Sequence, residues 1–163
     1  MILIKKLSLS DLPAYKTLRL EALVSHPEAF LSSFEEENVL SLEAWEEKFK
    51  TNHYFGVFTP ENKLVGIAGF FIEKNFKSTH RGVLFSVYVQ PEYRGLGLAK
   101  KLVEAVLDFA KSQVEQVHLT VTVGNDGAKK IYESLGFELY GVDPMAIKIK
   151  DQYFDENLMV LRF

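Results

Sequence analysis

Apolar and polar positions along the chain alternate in blocks that predict a strand-rich domain with helices between the strands. Residues 2–7 (ILIKKL) predict a first strand. Asp11 followed by Pro13 is a helix start signal, and Leu12, Tyr15, Leu18, Ala22 and Leu23 recur at helical spacing up to Pro27, which ends the run. Ser41 opens a second helix that reaches about Lys50. Residues 53–59 and 64–75 predict a hairpin around the turn Pro60–Lys63, with Gly66 and Gly69 as weak points or bulges. In 82–89 (GVLFSVYV) strict alternation places Val83, Phe85, Val87 and Val89 on one face and Leu84 and Tyr88 on the other. Apolar residues on both faces predict a central strand. A long helix over 97–111 follows, with Leu98, Leu102, Val106 and Phe109 or Ala110 in one stripe. Residues 116–123 alternate as a strand, Asn125–Leu135 predict a helix closed by Gly136, and the tail predicts strands near 137–141, 145–149 and 157–163. The expected class is α/β (α+β), with a mixed central sheet of about seven strands and flanking helices.

Composition narrows the possibilities. With 163 residues the chain has the length of one domain, taken here as 1–163. There is no cysteine, so disulfides, zinc–thiolate sites and a thiol nucleophile are excluded. The four histidines (His26, His53, His80 and His118) lack metal-ligand spacing, and no metal is expected. A net charge of −3 argues against nucleic acid as a partner. The N-terminus lacks the apolar stretch and cleavage site of a secretory signal, and no run has the length of a membrane span. The expectation is a soluble cytoplasmic protein, monomer or homodimer.

The chemistry concentrates where the strand 82–89 turns into the helix at 97. The turn Arg94-Gly95-Leu96-Gly97 lets backbone N–H groups approach a ligand, and the helix N-terminus adds positive partial charge. Lys100 and Lys101 sit in the first turns of that helix, where cations cost about 0.3–1 kcal/mol each unless an anion is present. Phosphate binding explains the arrangement; packing alone is the competing reading. A P-loop is excluded because the Gly-Lys-Ser/Thr end is missing, and a dinucleotide fingerprint because Lys100 stands at its third glycine.

The run Arg94-Gly95-Leu96-Gly97-Leu98-Ala99 resembles the Gln/Arg-x-x-Gly-x-Gly/Ala signature of the GNAT superfamily of N-acetyltransferases. The likeness extends upstream through Val87-Tyr88-Val89-Gln90-Pro91-Glu92-Tyr93. Downstream it takes in Asn125, Ala128 and the block Ile131-Tyr132-Glu133-Ser134-Leu135-Gly136-Phe137. The resemblance implies a GNAT fold splayed at the strand before the turn, with acetyl-CoA as co-substrate. It implies that Gly95, Leu96, Gly97, Leu98, Ala99 and Lys100, with Arg94 beside them, hold the pyrophosphate. It further implies that Val87, Tyr88 and Val89 pair with the pantetheine arm like an added strand, that Asn125 contacts the coenzyme, and that Tyr132 protonates the departing thiolate. Asn125 also reads as an ordinary N-cap and Tyr132 as a core tyrosine.

The general base has no assignment. Thr120 occupies the place of the glutamate found in ribosomal-protein-type members, and residues 83–89 contain no carboxylate. His80, entering the central strand, is the best-placed proton shuttle by sequence, although a surface histidine is the reading the sequence favours for it. The implied activity is direct acetyl transfer to an amine, on a small molecule or a protein N-terminus. A catalytically silent acyl-CoA sensor of the same fold is the alternative. Residues 21–47 hold eight glutamates and no lysine or arginine, while 74–101 hold Lys74, Lys77, Arg81, Arg94, Lys100 and Lys101 against Glu92. The first region would draw a cationic amine and the second would hold the coenzyme; a solvated helical face explains the acidic region equally well. Phe30, Phe34 and Trp45 could line the acceptor groove or pack in the core.

Overall fold

The computed structural model describes all of residues 1–163. Seven strands form one sheet in the order β1-β2-β3-β4-β5-β7-β6. They are β1 (Leu3–Lys6), β2 (His53–Phe58), β3 (Leu64–Ile72), β4 (Arg81–Val89), β5 (Gln116–Thr122), β6 (Glu138–Ile149) and β7 (Gln152–Arg162). All neighbours are antiparallel except β4 and β5, so the sheet is mixed. The helices are α1 (Leu12–Ser25), α2 (Phe34–Asn38), α3 (Leu42–Thr51), α4 (Leu98–Ala110) and α5 (Asp126–Ser134). No helix is long and apolar enough to cross a membrane.

The helical stripes cover the two sides of the sheet. Tyr15, Leu18 and Ala22 of α1 pack with Trp45, Tyr54, Ile67 and Tyr88. On the other side Leu98, Leu102, Val103 and Val106 of α4 pack with Val57, Val65, Ala68 and Phe70. β2 and β3 are apolar on both faces because both are covered.

Four local expectations change. Asp11 stands at the start of α1 but does not cap it. Its carboxylate accepts the Ser8 N–H at 2.9 Å within a preceding 3-10 turn, Leu9–Asp11. The short helix α2, unmarked by any periodicity, starts at Ser33, whose hydroxyl accepts the Glu36 N–H at 3.1 Å. The tail has two strands rather than three. The Pro144–Met145 interruption stays inside β6 as a register shift, because Asp155 Oδ1 accepts the Met145 N–H at 2.8 Å.

The fourth change is the alternation in β4. Ser86 and Val87 together face Ala68 of β3, because Ile67 pairs with Tyr88 and Gly69 with Phe85. This bulge shifts the side-chain phase. Leu84, Val87 and Val89 belong to the α4 side, and Phe85 and Tyr88 to the α1 side. Strict alternation had put Phe85 with Val87 and Leu84 with Tyr88. The bulge lies beside Gly69, whose missing Cβ makes room for the ring of its partner Phe85, 2.5 Å from where that atom would sit. Ser86 adopts φ 59°, a left-handed conformation that costs a non-glycine residue about 1–2 kcal/mol.

Candidate active site

β4 and β5 part company early. Their parallel pairing covers only Arg81–Val83 against Gln116–His118. Beyond that point the β5-facing edge of β4, from Leu84 to Val89, and the β4-facing edge of β5, from Leu119 to Thr122, have no cross-strand partner. The splay expected at the strand before the turn is present. It opens into a cleft of about 760 Å³.

The turn closes one end of this cleft. Gly95 at φ 80° and Gly97 at φ 74° adopt left-handed conformations, and nothing lies within 4 Å of the Cβ position at either. Lys101 N–H is the first to bond back into α4, to the Gly97 carbonyl at 3.1 Å, while Arg94 N–H bonds to Pro91 at 3.2 Å. The six amides between them, Gly95 to Lys100, donate to no backbone acceptor. Consecutive unpaired N–H groups at a helix N-terminus make an anion cradle. The residues therefore fit a diphosphate.

Eleven of the twelve expected site residues line the cleft: Val87, Tyr88, Val89, Arg94, Gly95, Gly97, Leu98, Ala99, Lys100, Asn125 and Tyr132. Leu96 does not, the residue being 62% exposed, so only its amide can serve. Arg94 does more than flank the turn. Its Nε donates to the Val89 carbonyl at 2.8 Å and its guanidinium lies 5.5 Å from the Tyr88 ring centroid, which ties the turn to the end of β4.

Asn125 is the N-cap of α5, its Oδ1 accepting the Ala128 N–H at 3.4 Å, and it also borders the cleft. The capping and cleft-lining roles coexist. Tyr132 is likewise both things at once: its ring packs in the core, edge-on to Phe137 at 5.9 Å, and it reaches the cleft wall. Burial pushes its hydroxyl well above the usual tyrosine value, so it stays protonated and keeps a proton to donate.

A strap over the opposite wall escaped the sequence reading. After α1 ends at Ser25, residues 26–30 cross toward β5, where Thr122 Oγ1 donates to the Glu28 carbonyl at 3.0 Å. His26, Glu28 and Phe30 thereby enter the cleft, and Phe154 of β7 joins them. Pro27 directly after a helix was the one local signal; Phe154 had none.

Several expectations about the acceptor side are corrected. His80 precedes β4 at the end of the strand away from Val87–Val89, roughly 20 Å off at strand rise. It borders a separate shallow cavity of about 390 Å³ with Lys111 and Glu115, so it cannot shuttle a proton in the cleft. Of the eight glutamates only Glu28 lines the cleft. Glu37 is buried against Arg19, and Glu21 accepts from the Tyr88 hydroxyl at 2.9 Å and from Gln90 at 3.1 Å. Of the six basic residues, Arg94 and Lys100 reach the cleft, while Lys74, Lys77, Arg81 and Lys101 do not. Phe30 lines the cleft, Trp45 is a core residue and Phe34 lines neither.

The Arg19–Glu37 pair is bidentate, with Nε–Oε1 at 3.0 Å and Nη2–Oε2 at 2.9 Å. Burial alone would raise the Glu37 carboxyl, but the Arg19 guanidinium outweighs it and holds the group below the ordinary glutamate value. A depressed carboxylate contributes stability that is complete above its unfolded value, near 4.5, and is lost as pH falls through the lower folded value. Acid denaturation followed by circular dichroism should show this loss below pH ~4.5, and Glu37→Gln should remove that part of the pH dependence. At neutral pH the same substitution should destabilise the protein by about 3–5 kcal/mol, since the buried Arg19 charge is left without a counter-charge.

The comparisons with known proteins agree with this geometry. The model of the acetyltransferase (GNAT) family matches residues 17–137. The N-alpha-acetyltransferase RimI of Mycobacterium tuberculosis is 35% identical over 92 residues, which is 56% of this chain and 55% of that protein. The chain thus spans about half the length of this curated relative. A GNAT-family acetyltransferase from Streptococcus pneumoniae has the same fold, with a TM-score of 0.86 at 22% identity over 100% of both chains. The yncA structure from Salmonella typhimurium, solved with its cofactor acetyl-CoA, gives a TM-score of 0.83 at 20% identity over 99% of this chain and 94% of that one. The chain belongs to the acetyltransferase (GNAT) family.

Proposed function

We propose that this protein is an acetyl-CoA-dependent N-acetyltransferase, with residues 1–163 forming one domain that carries both the coenzyme and the acceptor site. The observation that supports it most is the run of unpaired amides from Gly95 to Lys100 at the head of a splayed strand pair. Those amides and the Lys100 side chain hold the diphosphate. The free edge of Val87–Val89 pairs with the amides of the pantetheine arm, as a strand edge takes up an extended peptide.

When bound, acetyl-CoA supplies an acyl group on a sulfur leaving group. An N–H of the β4 edge polarises the acyl carbonyl and stabilises charge developing on its oxygen. Tyr132 donates a hydrogen bond to the departing sulfur. Its raised pKa makes full proton transfer still more uphill than the ~2 kcal/mol separating an ordinary tyrosine from a thiol, so hydrogen bonding carries the effect. Asn125, by capping α5, sets the position of Tyr132 seven residues on. The acceptor must arrive as a free amine, and deprotonating one of lysine-like pKa costs about 4–5 kcal/mol at pH 7. Of the cleft-wall side chains Glu28 can take up that proton; beside it His26 Nε2 accepts from Arg94 Nη2 at 3.3 Å, with His26 Nδ1 4.0 Å from Glu28 Oε1.

The relative from Mycobacterium is named for N-alpha acetylation, which favours turnover over a silent sensor. The acceptor class is an amine, on a small molecule or a protein N-terminus. The test is incubation with acetyl-CoA and a panel of polyamines, amino acids, amine antibiotics and peptide N-termini, following free thiol. Amine-dependent thiol release is expected; coenzyme binding without release for any amine would leave the sensor reading standing instead.

A further inference from the structure

We propose that Arg19, in the middle of α1, is a positioning residue that sets the shape of the coenzyme-binding strand, an inference that rests on the coenzyme reading given above. Its guanidinium is buried and does three things at once. Two of its nitrogens are occupied by the Glu37 carboxylate on α2. The third, Nη1, donates to the Ser86 hydroxyl at 2.6 Å. Its flat face lies 5.1 Å from the ring centroid of Phe30, in the strap that walls the cleft.

Ser86 is the residue at which β4 takes its extra step. It has the left-handed φ of 59°, and Ser86 and Val87 together oppose Ala68. A side chain is disfavoured in that conformation unless the surroundings hold it. The hydroxyl bound to a rigid, doubly anchored guanidinium is such a hold. The step directly precedes Val87–Val89, the edge that turns away from β5 and faces the slot. Arg19 therefore fixes the register and direction of that edge. Through Phe30 the same group fixes the strap opposite. The partners of Arg19 are Glu37, Ser86 and Phe30, and α4 packs in the core on the other side of the sheet, so the two halves of the coenzyme should respond differently to its loss.

Two ligands separate these halves in calorimetric titrations. Acetyl-CoA engages both the turn and the β4 edge; adenosine diphosphate engages the turn alone. Arg19→Met should weaken acetyl-CoA at least tenfold and change adenosine diphosphate less than twofold. Ser86→Ala should show the same split at about threefold, and the double variant should be no worse than Arg19→Met within twofold. Ser86→Gly relieves the backbone strain while removing the hydroxyl, so it should show the split too. Binding of acetyl-CoA by Ser86→Gly at wild-type strength, or an equal loss of both ligands in every variant, would overturn the proposal. If Arg19→Met does not fold, the two Ser86 variants carry the same comparison.

A second readout needs no ligand. Amide hydrogen exchange in the free protein should quicken at least tenfold at Ser86–Val89 in Ser86→Ala, with α4 unchanged. A uniform change across the chain would reduce Arg19 to a general contributor to stability and overturn the proposal. Wild-type protein that binds neither acetyl-CoA nor the diphosphate would sink the coenzyme reading, and exchange at Ser86–Val89 would then decide the role of Arg19 by itself.

Discussion

Replacing Gly97 by tryptophan is expected to reduce acetyl-CoA binding by more than a hundredfold while the protein still folds. Gly97 is the N-cap of α4 at φ 74°, ψ 13°, and no atom lies within 4 Å of its Cβ position. A side chain there meets no protein atom at its base and projects into the cleft that Gly97 lines. It would cover the amides that the coenzyme diphosphate needs, which no compensating contact restores. The fold bears only the backbone cost of a left-handed tryptophan, about 1–2 kcal/mol. For a chain of this size that lowers Tm by roughly 2–4 °C per kcal/mol. The two effects separate in a single pair of experiments. Calorimetry should show no binding heat, and the melting temperature should no longer respond to acetyl-CoA. Wild-type protein should gain about 2.7 kcal/mol at a hundredfold excess over the dissociation constant. Retained binding in the variant would mean that the diphosphate lies elsewhere.

Tyr132→Phe is the second large effect, and it falls on turnover rather than on binding. The ring is a core element that phenylalanine reproduces, packed beside Phe137 and 8% exposed. No protein group pairs with the hydroxyl, so its removal leaves no orphaned partner and should shift stability by less than about 0.5 kcal/mol. Its contribution is a hydrogen bond to sulfur as charge develops there. Loss of a positioned donor or acid of this kind costs about 10²–10⁴ in rate, and the raised pKa places Tyr132 at the lower end. We expect kcat to fall about a hundredfold, near 2.7 kcal/mol of transition-state stabilisation, with acetyl-CoA affinity within twofold of wild type. Steady-state kinetics with calorimetry on the same preparation distinguish this from a structural role, which would lower affinity and Tm together.

Much of this arrangement was legible in the sequence because its parts are local. The Gly95–Gly97 turn, the strand before it and the helix after it are contiguous, so one stretch of chain fixes the cradle. Asn125 and Tyr132 lie on one short helix, and their spacing is set by helical geometry alone. What stayed hidden depends on distant contacts. The bulge at Ser86 reverses the facing of Val87 relative to Phe85, and nothing in GVLFSVYV announces it, because its partners are Arg19, 67 residues away, and the empty position at Gly69. The acidic region read as one electrostatic surface, but its members are spent separately: Glu37 on Arg19, Glu21 on Tyr88, and Glu28 alone in the cleft. The shuttle reading of His80 fails for the same reason. Entering the central strand places a residue in the sheet, but not at the end of the strand where β4 and β5 have parted.

The most direct test of the whole account is a crystal structure of the protein with bound CoA. The diphosphate should lie on the amides of Gly95–Lys100, the pantetheine arm should be hydrogen-bonded along Val87–Val89, and the sulfur should come within reach of the Tyr132 hydroxyl. A coenzyme bound outside the β4–β5 slot, with those amides and that strand edge left free of it, would contradict the account.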